Sequence, residues 1–527
     1  MRLHSGRTKQ LLGVVLAFAA LAAKGEQGAT SRAASGDTPN AATTPKPETH
    51  ITKQQANELF RSVDEILAFV STDTKLPIDH PVKRTMISRD QVNRYLKQKF
   101  NEDKGTKRLE RSELVLKKFG LLDKDFHLQP FLVSLLTEQI AGFYDNKTKT
   151  VNLLDWIEPE AQKSVLAHEL THALQDQKVG LTKWSEVSDQ GVARNAQEDN
   201  RHIQTDEAET AREAVAEGQA MVTFVDYTLK PTGKTLLDAP ELTERFKEMA
   251  GDTSGSPVMA RAPLLLQQSL LFPYSEGLSF EQAVLLNAGR QAAFAGTLAS
   301  PPSSSFEIMH PAAYLSHTPV PVLRLPDIHP LLDAAYIPYD VGVMGELDVR
   351  ILTELFGGPE VSKAVTPAWD GGIYSAAQRK SAITAAEKES TASLALLYAS
   401  RWKSAAAAQA FLKIYAAHLP QKYSGVRRRE GDEANGEEQI YSTSEGDVLL
   451  SISGRSVYIG EGFPIPLSRT LRDRIGEAQS SGPVQLAGVP LGAERQHDPA
   501  LMVSRELSSF GLMRAALPQR YTRPNRN

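Results

Sequence analysis

Apolar residues recur at spacings of three and four through most of the first 300 positions, a rhythm that predicts a succession of amphipathic helices. Ala56, Leu59, Phe60, Val63, Ile66, Leu67 and Phe69 set out the first, over residues 52–70. A short strand fits residues 82–86, and Ser88, Asp90 and Gln91 suit the cap and first turn of a second helix. More helix fits residues 109–119 and 128–140. Residues 142–154 read instead as a hairpin, with Asp145-Asn146 at its turn. The clearest helix follows at 158–177, where Pro159 suits the beginning and Val165, Leu166, Leu170, Ala173 and Leu174 form an apolar side. Residues 198–227 read as one long helix, charged early and mostly apolar from 214 to 225, so its later half is expected to be the more deeply buried. Helical pieces at 240–249, 261–271 and 279–297, an ordered loop region at 298–330 and a helix at 345–355 follow.

Beyond Gly357-Gly358 the pattern changes. Residues 364–369 and 371–374 lead into a strand at 390–398, then a helix at 405–417 and a basic-to-acidic loop at 427–438. Short strands fit 440–443, 448–452 and 456–459, and a small helix fits 467–475. The expected fold class is α+β: a mostly helical body over residues 51–358, a smaller C-terminal α+β module over 359–480, and a weakly patterned tail at 481–527.

The N-terminal stretch reads differently from either part. Arg2, Arg7 and Lys9 precede an apolar run over residues 11–23, interrupted by Gly13 and closing on Ala20-Leu21-Ala22. That is the layout of a secretory signal peptide, too short to span a hydrocarbon core comfortably. Residues 24–50, rich in Gly, Ala, Ser, Thr and Pro, read as a disordered linker. An exported protein is expected, periplasmic or extracellular, with an uncleaved signal anchor as the lesser alternative and no stable membrane span after cleavage.

Composition narrows the chemistry. The 527 residues carry 59 Lys plus Arg against 63 Asp plus Glu, so no basic excess recruits nucleic acid. There is no cysteine, which excludes disulfides, thiolate metal sites and cysteine nucleophiles. No phosphate-binding glycine loop supports nucleotide binding.

The candidate chemistry lies inside the clearest helix. In His168-Glu169-Leu170-Thr171-His172 the two histidines stand four apart, on one helical face, and can hold one ion. Zn2+ is the expected cofactor, since nitrogen ligands with a carboxylate leave an open position for water. Glu169, one step round from His168, reaches that water without being a ligand and is the expected general base. No histidine follows closely enough to complete a short three-histidine motif, so the third ligand is expected to be a carboxylate from a second helix. Glu217, in Ala216-Glu217-Gly218-Gln219-Ala220, lies in the apolar half of its helix, where an unpaired carboxylate is costly. Gly218 permits close approach of two helices. Glu213, one turn earlier, is the rival ligand. Besides the ion, hydrolysis needs a donor for the negative oxygen that develops. His310 and Tyr314, four apart after a constrained turn, are the candidates, with a preference for His310. His317 and His329 are lesser alternatives, and His202 and His497 read as solvated or structural.

With the distal glutamate some forty residues downstream, this motif resembles the gluzincin zinc metallopeptidases, the clan of thermolysin and the M1-type aminopeptidases. The likeness is best to exported bacterial members. It is carried also by Gly142-Phe143-Tyr144-Asp145, by the Pro301-Pro302-Ser303-Ser304-Ser305 turn leading to His310-Pro311 and Tyr314, and by Gly345-Glu346-Leu347. The resemblance covers about residues 55–375. It implies a zincin-like core, peptide or protein substrates, and an antiparallel edge strand above the zinc helix that pairs with an extended peptide; residues 151–154 are the nearest match. Two family features are missing: no Gly-x-Met-x-Asn strand captures a free N-terminus, and Met221 stands where thermolysin-like proteins carry an acid. Endopeptidase activity is therefore expected rather than exopeptidase activity. The alternatives are a noncatalytic peptide-binding or envelope-interaction protein on a peptidase-like scaffold, and a metal-dependent hydrolase of another bond.

Export is checked by N-terminal sequencing of the mature protein. The first residue is expected near Ala23 or Lys24, and cytosolic protein beginning at Met1 contradicts it.

Overall fold

Thr52 and Gln55 exchange hydrogen bonds, Thr52 N–H to Gln55 Oε1 at 2.8 Å and Gln55 N–H to Thr52 Oγ1 at 3.2 Å. This capping box starts helix α1 (Lys53–Thr74). The computed structural model describes residues 50–479 except 101–102, 186–194, 251–252, 254–255 and 435. The expected signal at 1–23, the linker up to residue 49, His497 and the tail at 481–527 lie outside the described residues. Strand β1 (Lys83–Ile87) and helices α2 (Arg89–Phe100), α3 (Asp103–Phe119) and α4 (Leu128–Gln139) follow, then strands β2 (Phe143–Asp145) and β3 (Thr150–Leu154).

These strands form a small sheet in the order β1-β3-β2, with β1 parallel and β2 antiparallel to β3. The hairpin is where the sequence predicts it. The expectation that residues 151–154 form a free edge is overturned: β3 is the central strand, flanked by β1 and β2. Where β2 ends, the Gln162 side chain takes over, accepting from Leu154 N–H at 3.0 Å and donating to Leu154 O at 2.9 Å.

Helix α5 (Pro159–Val179) begins with Pro159 and ends at Gly180, whose φ of 66° suits glycine. It carries the His-Glu-x-x-His motif and is buried continuously from Ser164 to Asp176, not along one apolar stripe. Leu59, Val63, Ile66, Leu67 and Val70 of α1 are buried in the same core, and α1 packs along α5. Every polar side chain on α5 therefore needs a partner.

The single helix expected over 198–227 is two. Helix α6 (Ala196–Thr205) stops at Asp206-Glu207, whose carboxylates bind Val343 N–H and the Ser305 hydroxyl, and α7 (Ala208–Leu229) resumes. Helix α8 (Leu242–Ala250) precedes α9 (Leu264–Ala288), which runs unbroken through Pro273 and joins segments read as separate. Helices α7 and α9 touch backbone to backbone. A Cβ on Gly218 would lie 2.3 Å from Gly277 O, and one on Gly277 would lie 2.2 Å from Ala214 O. Gly218 thus does allow close approach, and its partner is α9.

The second sheet is antiparallel, in the order β4-β5-β6-β10-β9-β8-β7. Its strands are β4 (Tyr336–Val343), β5 (Trp369–Arg379), β6 (Leu394–Trp402), β7 (Arg427–Arg428), β8 (Glu438–Thr443), β9 (Gly446–Ser453) and β10 (Ser456–Glu461). Strand β4 was not legible, because Pro338 and a register shift before Asp340 interrupt its alternation. It brings residues before Gly358 into the sheet. Side chains of β6 alternate between two clusters, Leu394, Leu396 and Tyr398 on one face and Ala395, Leu397 and Ala399 on the other. Helices α10 (Glu346–Gly357), α11 (Ala405–Lys422) and α12 (Ile465–Gln479) complete the α+β module beside the helical body.

One buried ion pair ties the two parts together, and a second beside it lies within the C-terminal module. Lys118, near the end of α3, reaches Glu445 Oε2 at 3.0 Å, and Thr391 and Lys124 bind the other oxygen. Next to it Lys422 meets Glu461 Oε1 at 2.6 Å, with the Tyr415 hydroxyl donating to the same carboxylate at 2.7 Å. Burial pulls both lysines below the ordinary range, and the adjacent carboxylates oppose it. Lys118→Met leaves Glu445 with one half-exposed cation, Lys124, and is expected to cost about 3 kcal/mol in urea unfolding. Adding Glu445→Gln should recover most of that loss; a single-variant loss below about 0.5 kcal/mol would remove the pair from this role.

Candidate metal centre

Helices α5 and α7 pack side by side, and their contact face brings His168, His172 and Glu217 together. Relative exposures are 1%, 1% and 3%, so all three polar groups depend on one another. His168 Nε2 lies 3.1 Å from Glu217 Oε2 and 3.1 Å from His172 Nε2, and His172 Nε2 lies 3.3 Å from Glu217 Oε2. A tetrahedral zinc with bonds of about 2.0–2.1 Å holds its donors roughly 3.3 Å apart, so this two-nitrogen, one-oxygen set fits the ion. Burial opposes charge on Glu217, but the two imidazoles outweigh it and hold the carboxyl well below the usual glutamate range. Burial also opposes charge on His172, and Glu217 outweighs it, raising its pKa to about 9.

A second layer of polar groups supports these ligands. His172 Nδ1 lies 2.9 Å from Gln175 Oε1, one turn on along α5. The Gln175 amide donates to Ala216 O and Gln219 Oε1, both at 2.9 Å. Gln219, two residues after Glu217, donates in turn toward Ala293 O, Phe294 O and Thr297 Oγ1.

Glu169 stays out of the ligand group, as the motif predicts. Its Oε2 accepts the Tyr144 N–H at 2.8 Å, so the outer edge of β2 faces it. Burial pushes its carboxyl above the ordinary range, opposed by the two histidines. The Tyr274 ring from α9 stacks near His168 at 6.1 Å between centroids and 20° between planes. Burial, then the charges of Glu217, Glu169 and Glu213, push its phenol well above the ordinary range. Glu213 is half-buried one turn before Glu217 and is not in the three-residue ligand group.

The other expected residues stand elsewhere. His310 Nε2 meets Glu346 Oε2, at the start of α10, at 2.7 Å, and its ring lies 4.5 Å from Phe306. The Tyr314 hydroxyl donates to Ser300 O at 2.7 Å, and its ring meets Phe280 edge-on. None of these hydrogen bonds reaches the metal ligands. The helical turn before His310 (Ser305–Met309) does pack against α7 and α9. His329 bonds Asp199 at 3.0 Å, His202 is buried beside Asp206, and His317 is exposed.

Sequence reasoning missed Gln175, Gln219 and Tyr274. Gln175 had a signal, since it stands three positions after His172 on the same helical face. Tyr274 had none, because only the α7–α9 crossing brings it near. Comparison of the chain with protein-family models, curated proteins and solved structures gave no match. The His168-Glu169-x-x-His172 motif with distal Glu217 is the signature of zincin metallopeptidases, here assembled in space.

Metal content decides the ligand set. Alanine at His168, His172 or Glu217 is expected to abolish stoichiometric zinc in elemental analysis, whereas Glu213→Gln retains it. Full zinc in Glu217→Ala would move the third ligand elsewhere.

Proposed function

We propose that this protein is an exported zinc-dependent metalloendopeptidase that hydrolyses peptide bonds. The observation that carries this reading is the buried group of His168, His172 and Glu217 with the carboxylate of Glu169, a non-ligand, beside it. When bound, the ion acidifies water and polarises a carbonyl. His168, His172 and Glu217 hold it, leaving Glu169 to accept a proton and return it to the leaving amine.

The position of Glu169, buried beside the ligands without being one of them, suits that exchange. Substrate main chain is proposed to lie along the outer edge of β2, where it would take over the Tyr144 N–H that Glu169 holds in the free protein. Pairing of that kind reads backbone more than side chains and supports modest sequence preference. For the developing negative oxygen, His310 is the proposed donor. Its Nε2 is held by Glu346 while 40% of the side chain remains exposed, so the donation would come from Nδ1–H of the doubly protonated ring, whereas Tyr314 commits its hydroxyl to Ser300 O. The exported location rests on the basic-then-apolar pattern of residues 1–23. No described helix is long and apolar enough to cross a membrane.

Glu169→Gln tests the reading. It is expected to keep zinc and fold while lowering turnover about 10²–10⁴-fold, since the amide cannot take a proton. New termini released from unfolded protein, counted by mass spectrometry at equal zinc occupancy, give the rates. Equal cutting by wild type and variant contradicts the base assignment. No cutting by either, with zinc bound, favours a peptide-binding scaffold or a hydrolase of another bond.

A further inference from the structure

The tautomer of a histidine metal ligand is set by the group at its other ring nitrogen. At His172 that group is an amide, which can present either an acceptor or a donor, so its orientation matters. Gln175 has its oxygen 2.9 Å from His172 Nδ1, and the reason is found two steps away.

At the far end of the chain of contacts lies a π-helical turn, Ala292–Gly296. Its carbonyls at Ala293 and Phe294 can only accept, and both lie 3.0 Å from Gln219 Nε2. The Thr297 hydroxyl donates its proton to Ala293 O at 2.7 Å, so its oxygen is left to accept from Gln219 at 2.8 Å. The two backbone carbonyls can only accept, whatever the Thr297 hydroxyl and the adjoining buried Glu281 carboxyl do, so they claim the NH2 end of Gln219 and turn its Oε1 toward Gln175. The Gln175 NH2 then meets two acceptors, Gln219 Oε1 and Ala216 O, which leaves Gln175 Oε1 facing His172. An acceptor at Nδ1 places the ring proton there and frees the Nε2 lone pair on the side of His168 and Glu217. All of these side chains are buried, so water does not compete for the bonds.

We propose that Gln175 and Gln219 are positioning residues that transmit the fixed polarity of the π-helical turn to His172, committing it to bind metal through Nε2. The inference rests on the metal-site reading and extends it to two residues that touch no reacting atom. The hydrogen bonds of the Gln219 side chain reach Gln175, the π-helical turn and the buried Glu281 carboxyl, and its link to His172 runs through Gln175. Without it the Gln175 amide is free to turn over and offer a donor to Nδ1, which stabilises the wrong tautomer.

The test measures zinc affinity by competition with a chromophoric chelator for wild type, Gln175→Met, Gln219→Met and the double variant, each checked for fold by circular dichroism. Loss of an outer partner of a metal ligand costs about 10–100-fold in affinity. Gln175→Met is expected to fall in that range, and Gln219→Met to weaken binding about tenfold. The double variant should be no weaker than Gln175→Met alone, because one residue acts through the other. Losses that multiply, or a Gln219→Met affinity equal to wild type, overturn the relay. Should Gln219→Met fail to fold, nitrogen-15 spectra of labelled histidines in zinc-loaded wild type carry the test. A proton on His172 Nδ1 supports the relay and a proton on Nε2 overturns it. Wild-type protein that takes up no zinc defeats the metal reading itself, whereas zinc uptake with the wrong tautomer or additive losses defeats only the relay.

Discussion

A buried carboxylate cannot stay ionised without positive charge beside it, and Glu217 sits 3% exposed between two imidazoles that are each 1% exposed. That requirement organises the centre of the molecule. It places the ligand halves of α5 and α7 face to face and demands tight packing around both. The demand is met on one side by α1 and on the other by α9, which crosses α7 at Gly218 and Gly277 with no side chain between the backbones. The same crossing sets Tyr274 near His168. A larger residue at either glycine would push α9 outward and open the site to water, weakening every charge interaction within it.

Burial also explains why the site needs so many amides. Helix α5 is enclosed on all sides over its middle turns, so Gln162, Gln175 and Asp176 each finish a hydrogen-bonding group that water would otherwise satisfy. Gln162 completes strand β3, Gln175 supports His172, and Asp176 accepts from the Tyr144 hydroxyl at 2.9 Å. Strand, ligand and hairpin are thereby referenced to one helix. Glu169 is held by the backbone of that hairpin and not by another side chain.

Much of this was legible in the residues. The four-residue spacing of His168 and His172 holds on any helix, and a glutamate in an apolar run needs a reason, which singled out Glu217. Local pattern failed where long-range contacts decide the outcome. Asp206-Glu207 break a helix because their carboxylates find Val343 and Ser305, distant in sequence. Helix α9 continues through Pro273 because packing against α7 outweighs the lost hydrogen bond. Strand β3, which the family resemblance offered as the peptide-binding edge, is interior because β1, more than sixty residues earlier in the chain, pairs along its other side. The contacts of His310 with Glu346 and of Tyr314 with Ser300 likewise depend on folding that spacing alone does not describe.

The proposed chemistry depends on an ion between α5 and α7. X-ray absorption at the zinc edge on purified protein reports its donors directly, without reference to activity. The expected spectrum shows two imidazole nitrogens and light oxygen donors at about 2.0–2.1 Å, with no sulfur. A zinc-free protein after equilibration with the metal, or a shell built without two imidazoles, would exclude a zinc site held by His168 and His172.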